Sequence, residues 1–118
     1  MMRRDAVLAV LVGLSLGACS SDPPPIGRGL PTNTRDAGVA FRERVSERFP
    51  VGSSESDLLA ELHREHFAIS PAHPLRAPYQ FTALVDHPGI CRFRWIISWS
   101  AADNRITASE GSYSAVCL

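Results

Sequence analysis

The sequence predicts an α+β fold in which two helices pack on one face of a three-stranded antiparallel sheet, in the order ααβββ. Three observations support this two-layer sandwich. Apolar residues recur at helical spacing in two segments before residue 68, and they alternate with other residues in segments after residue 78. Prolines separate these two halves of the chain and predict a loop between them.

The first 18 residues predict an export signal. Arg3 and Arg4 give a positive start, and residues 6–16 form an apolar stretch of about 11 residues, which is too short to span a bilayer core. The stretch ends in Leu16-Gly17-Ala18-Cys19, which resembles the lipobox of bacterial lipoproteins. The resemblance implies that Cys19 carries a palmitate-type lipid and becomes the first residue of the mature protein.

The lipobox implies a location in the cell envelope, anchored to a membrane by acyl chains. Ser20 follows the lipidated position, and in enteric bacteria an Asp there retains lipoproteins in the inner membrane. Ser20 therefore favours the periplasmic face of the outer membrane. Residues 19–34 are predicted as a tether, because three consecutive prolines, Pro23 to Pro25, favour extended polyproline II. The α+β domain is then predicted over residues 35–118.

The first helix is predicted over residues 36–49, where apolar side chains recur at every fourth position: Phe41, Val45 and Phe49. Asn33 or Thr34 can cap its N-terminus, and Pro50 ends it. The second helix is expected to begin at Ser53 or Ser54 and to fray near residue 67. One of its faces carries Leu58, Leu59, Leu62 and His66.

Three strands are predicted to follow. The first alternates over residues 79–85, and residues 86–89, Asp-His-Pro-Gly, predict a turn. The second strand has one apolar face, formed by Cys91, Phe93, Trp95, Ile97 and Trp99. A turn at residues 102–104 leads to the last strand, from about Arg105 to Cys117.

A hairpin centred on Asn104 pairs residues whose numbers add up to 208. This register places Cys91 opposite Cys117 and Trp95 opposite Tyr113. A bulge near residues 110–111 could shift it by one residue. Because the envelope is oxidising and Cys19 is assigned to the lipid, we predict a disulfide bond between the two remaining cysteines.

The histidines are the candidates for a metal site. His63 and His66 have a spacing that can bring two imidazoles to one ion, but no third ligand is evident, so we expect neither a metal nor a cofactor. His66 is predicted at the edge of the core. His73 and His87 precede prolines and are predicted in loops.

The aromatic row of the second strand could be a ligand platform or the sheet face that packs on the helices. Core packing is predicted, because the helices need a partner for their own apolar stripes. Trp95 is then a core residue. Arg92 and Arg94 point outward, either as a partner-facing patch or as a solvated strand face.

The predicted element order over residues 36–118 resembles the small outer-membrane lipoproteins of the BamE (SmpA/OmlA) type. The segment Val51–Leu62 carries the resemblance locally, because that family has a similar Gly-Ser/Thr start to a helix with spaced apolar residues. The resemblance implies a similar fold. We expect a non-enzymatic envelope lipoprotein that binds other envelope proteins, as an accessory to assembly. Two alternatives are a binder of a small ligand or metal, and an inhibitor of an envelope enzyme. Catalytic residues are not expected, since no nucleophile motif is present, nor is nucleic-acid binding, since no basic cluster is present.

Overall fold

The computed structural model describes residues 23–71 and 79–118, so the predicted signal, Cys19 and His73 lie outside the described part. A short 3-10 turn at Pro25–Gly27 is followed by helices α1 (Thr34–Arg48) and α2 (Glu55–Arg64) and by strands β1 (Ala68–Pro71), β2 (Phe81–His87), β3 (Cys91–Ala102) and β4 (Arg105–Cys117). The four strands form one antiparallel sheet in chain order. Within the described residues, no helix has both the length and the apolar character needed to cross a membrane.

The α+β class with two helices is confirmed, whereas the predicted number of three strands is wrong. The additional strand, β1, pairs Ala68 with Leu84 and Pro71 with Phe81 at one edge of the sheet. The prolines of this segment, Pro71 among them, predict a loop there. Proline is tolerated in an edge strand, where its missing N–H group need not serve a neighbouring strand.

Both helices begin at the predicted caps. The side chain of Asn33 accepts hydrogen bonds from the backbone N–H groups of Arg35 and Asp36, and Ser54 accepts one from Asp57. These bonds satisfy donors that have no partner inside the helix.

The end of α2 differs from the prediction for His66. His66 has a φ of 64°, and the N–H groups of His66 and Phe67 donate to the carbonyls of His63 and Leu62. This left-handed ending is a Schellman motif, in which the residue with positive φ is usually glycine. It turns the chain out of the helix, so His66 is exposed and Glu65 is buried instead.

The β3–β4 hairpin has the predicted register over most of its length. Cys91 lies opposite Cys117, and Trp95 lies opposite Tyr113. The bulge lies between Ser100 and Ala101, not at residues 110–111. Asp103 and Asn104 both have positive φ and form a two-residue turn. Such a turn alone pairs residues whose numbers add up to one less than 208. A bulge close to the turn is therefore needed to give the sum of 208 along the rest of the hairpin. We call the two ends of this hairpin the Asn104 end and the disulfide end.

The core lies between the helices and one face of the sheet. It is formed mainly by Phe41, Val45, Phe49, Leu58, Leu62, Phe67, Ala83, Trp95, Ile97, Trp99 and Ile106. Trp95 is 5% exposed, which confirms its predicted core position. A side chain at Gly111 would place its Cβ 2.6 Å from Val45 Cγ2 and 3.0 Å from the carbonyl oxygen of Phe41. The absence of a side chain at this position therefore lets α1 rest directly on β4.

A segment that we call the strap, Pro24–Arg28, also belongs to the packed structure. Ile26 is buried in the core, its N–H donates to the buried Glu65 carboxylate over 2.7 Å, and its carbonyl accepts from Arg44 over 2.9 Å. Gly27 lies against the Trp95 indole, where a Cβ would come within 2.6 Å of Nε1. Residues 24–28 are therefore docked on the domain, whereas the sequence predicted a free tether up to residue 34.

Candidate interaction surface

The sheet has a second face, which points away from the helices. Because successive side chains of a strand point to opposite faces, the neighbours of the core residues lie on it. We call this the open face. Its side chains include Thr82, Leu84 and Asp86 from β2, Arg92, Arg94, Ile96 and Ser98 from β3, and Glu110, Ser112, Ser114 and Val116 from β4. No helix within residues 23–71 or 79–118 covers it.

The middle of the open face is apolar and is surrounded by hydroxyl groups. Leu84 and Ile96 are paired across β2 and β3, and both are half-buried. Ser112 lies opposite Ile96 on β4 and is exposed. A flat apolar centre with polar groups around it resembles the anatomy of protein interfaces.

The predicted arginine patch lies on this face, toward the disulfide end. Arg92 is exposed and Arg94 is half-buried. Their guanidinium groups lie 3.6 and 3.7 Å from the same oxygen of Asp86. The three side chains together keep one net positive charge, and exposed ion pairs of this kind add little to stability. Whether the arginines face a partner stays a prediction.

The disulfide end concentrates exposed apolar side chains. Cys91 and Cys117 form a disulfide bond there, with their sulfur atoms 2.06 Å apart. Seven large apolar side chains are exposed in the described part of the chain, and four of them lie at this end: Ile90, Phe93, Val116 and Leu118. Ile90 and Val116 are 81% and 65% exposed. With Arg92 and Arg94 they line an open depression of about 520 Å³.

A second depression, of about 400 Å³, lies at the same end on the side of the helices. Pro23 and the strap form one wall, and Val85 and His87 of β2 form another. The His87 ring meets Trp95 edge to face, with 5.5 Å between the ring centroids. His87 is thus part of β2 rather than of the predicted loop, and it lines this depression together with Pro23.

The histidine pair of α2 is separated by the end of the helix. His63 lies on the helix and His66 lies beyond it. Within the two described ranges, no group of three His, Cys, Asp or Glu side chains is arranged to hold a metal ion.

Two tyrosines have shifted pKa values, and neither is activated for chemistry. A hydrogen bond of 2.8 Å to Glu110, together with burial, raises the pKa of Tyr79 above its ordinary value. Burial raises the pKa of Tyr113. Because both shifts are upward from about 10, the two phenols stay protonated at neutral pH. The Tyr79 bond instead ties the segment before β2 to β4.

Sequence reasoning missed two parts of this surface, the docked strap and the apolar end. The second could have been found, because the predicted register pairs Val116 with Arg92 on the outward face.

In the comparisons, no family model matches the chain, and no curated protein or solved structure matches it either.

Proposed function

We propose that this chain is a non-enzymatic bacterial envelope lipoprotein, anchored through Cys19, that binds another envelope protein through the middle of its open face. The lipobox supports the anchor, and the resemblance to BamE-type lipoproteins supports a role as an accessory to envelope assembly. The open face carries the binding part of the proposal.

The observation behind it is the apolar pair at the centre of that face. Leu84 and Ile96 pack side by side, although no described helix covers them. Ser98 and Ser112 flank them with hydroxyl groups that can accept or donate hydrogen bonds. A partner surface could bury the pair and satisfy the hydroxyl groups at the same time.

Photo-crosslinking in the native cell tests the binding face. A benzophenone amino acid replaces Ser112 on the open face or, as the matched control, Ser46 on the exposed side of α1. We expect one discrete protein adduct from position 112 and none from position 46. Ile96→Glu should abolish the adduct without lowering the thermal unfolding midpoint much, because residue 96 lies outside the core. Equal adducts from both positions would contradict the proposal.

The anchor is tested separately. Wild-type protein should incorporate a fatty-acid probe in cells, and Cys19→Ser should not, because the thiol is the acyl acceptor. Labelling of the serine variant would show that the lipid assignment is wrong.

A further inference from the structure

We propose that the disulfide end rests on an anionic lipid surface, so that the domain lies against the bilayer that holds its anchor. This inference rests on the lipid anchor of the proposed function and adds an orientation to it. For Arg92 and Arg94 the sequence left open a partner-facing patch or a solvated strand face, and they are here assigned to lipid headgroups.

The docked strap sets the distance from the membrane. Pro23 lies four residue steps after Cys19, and four steps can span at most about 14 Å. A free tether through residue 34 would have let the domain move much farther away. Because Ile26 is buried in the core, the domain is held at the short distance.

The position of Pro23 then selects the end that faces the bilayer. Pro23 lines the same depression as His87, the last residue of β2. Ile90 follows three residues later, so its Cα lies within about 11 Å of that of His87. The Asn104 end lies at the opposite end of β3, which runs for eleven residue steps from Cys91 to Ala102. The disulfide end is therefore the part of the sheet nearest to the anchor.

The chemistry of this end fits a bilayer surface. Ile90 and Val116 project where apolar side chains can enter the boundary between headgroups and acyl chains. Arg92 and Arg94 lie beside them, and arginine forms charge-assisted hydrogen bonds with phosphate. Asp86 is the one acidic residue of β2 and β3, and it leaves a net positive charge for anionic lipid.

The disulfide keeps these groups in place. Cys91 and Cys117 lie next to the exposed residues and join the ends of β3 and β4. The N–H of Leu118 also donates to the carbonyl of Ile90 over 2.9 Å. A fixed apolar tip binds a surface without a large loss of conformational entropy.

The test uses the lipidated full chain, reconstituted in vesicles of phosphatidylcholine with or without phosphatidylglycerol. A benzophenone amino acid replaces Ile90 or, as the matched control, Val51, which is 71% exposed and precedes α2. We expect phospholipid adducts from position 90 and not from position 51, with higher yield in the vesicles containing phosphatidylglycerol. Replacing Arg92 or Arg94 by Gln should lower the docked population by about fivefold each.

Each result can be read separately from the anchor. If the fatty-acid probe labels Cys19 but position 90 gives no lipid adduct, the orientation is wrong and the anchor stands. Equal yields in the two kinds of vesicle would overturn the role of anionic lipid. An adduct in cells from position 90 to a protein, and not to lipid, would assign this end to a protein partner. If the probe does not label Cys19, both proposals fail.

Discussion

The two ends of the β3–β4 hairpin are held together by different means. At the Asn104 end, the side-chain oxygen of Asn104 accepts hydrogen bonds from the backbone N–H and the hydroxyl of Ser56, over 3.0 and 2.8 Å. The N–H of Gly52 donates to the carbonyl of Ile106, and the N–H of Ile106 donates to the carbonyl of Ser53. These two backbone hydrogen bonds join Ile106 to the loop before α2. Ile106 is 1% exposed there, and the Asn104 side chain is paired with Ser56.

At the disulfide end, Arg92 and Arg94 pair with Asp86 of the neighbouring strand rather than with a loop or a helix. One covalent bond joins its strands, and its large apolar side chains face outward. The first end is therefore built for packing inside the molecule. The second end is built to keep its shape while leaving its side chains available.

The largest expected effect is in the part of β3 between the two ends. Trp95→Ala should lower the free energy of unfolding by about 3–5 kcal/mol, the range for a buried large aromatic residue. Phe93 is the matched control, since it lies on the same strand and face but is 37% exposed at the disulfide end. Phe93→Ala should cost only about 1 kcal/mol. Urea unfolding measures both, and equal losses would show that the core extends to the disulfide end.

The disulfide itself should give the next largest effect. Its loop contains about 27 residues, and the chain-entropy relation gives about 3.5 kcal/mol for its removal. The double variant Cys91→Ser, Cys117→Ser should therefore unfold at a clearly lower urea concentration than the wild type. Reduced wild-type protein is the control and should behave like the variant. An unchanged midpoint would mean that hydrogen bonds and packing already hold this end.

Sequence reasoning reached the hairpin and the helices because local rules determine them. The caps Asn33 and Ser54 and the alternation through Trp95 are properties of neighbouring residues, and the turn at Asn104 fixes the register of β4. The strap could not be found in this way. Ile26 is a single apolar residue among prolines and glycines, and its burial depends on Glu65, which is 39 positions away.

Strand β1 and the exposed end show two further limits. Pro71 indicates a loop by its chemistry, and only the place of β1 at the sheet edge makes proline acceptable there. The arginines were assigned to the outward face correctly. Ile90 lies two positions before Arg92, so their nearness follows from the sequence, but the exposure of Ile90 depends on the β2–β3 turn, whose detailed course a sequence pattern does not give.

A smaller effect is expected at the Asn104 end. Asn104→Gly removes the side chain that holds Ser56 but keeps a residue suited to the φ of 59°. We expect the free energy of unfolding to fall by about 1 kcal/mol, because the hydrogen bonds between Asn104 and Ser56 at the start of α2 are lost. Asn104→Ala should lose more, because alanine adds the steric cost of the left-handed conformation. Thermal unfolding of the two variants separates the effect of the lost hydrogen bonds from the effect of backbone strain. Equal losses of stability would show that backbone strain at residue 104 is negligible.

The smallest effect on stability is expected for Arg92, and it sharpens the contrast between the two ends. Its ion pair with Asp86 is exposed, so Arg92→Gln should change the free energy of unfolding by no more than about 0.5 kcal/mol. If this end is a contact surface, the same variant should still lower the yield of lipid adducts from position 90 in anionic vesicles. Urea unfolding and vesicle crosslinking of one preparation measure both properties. A large loss of stability with unchanged crosslinking would show that Arg92 holds the fold, and the disulfide end would then resemble the Asn104 end.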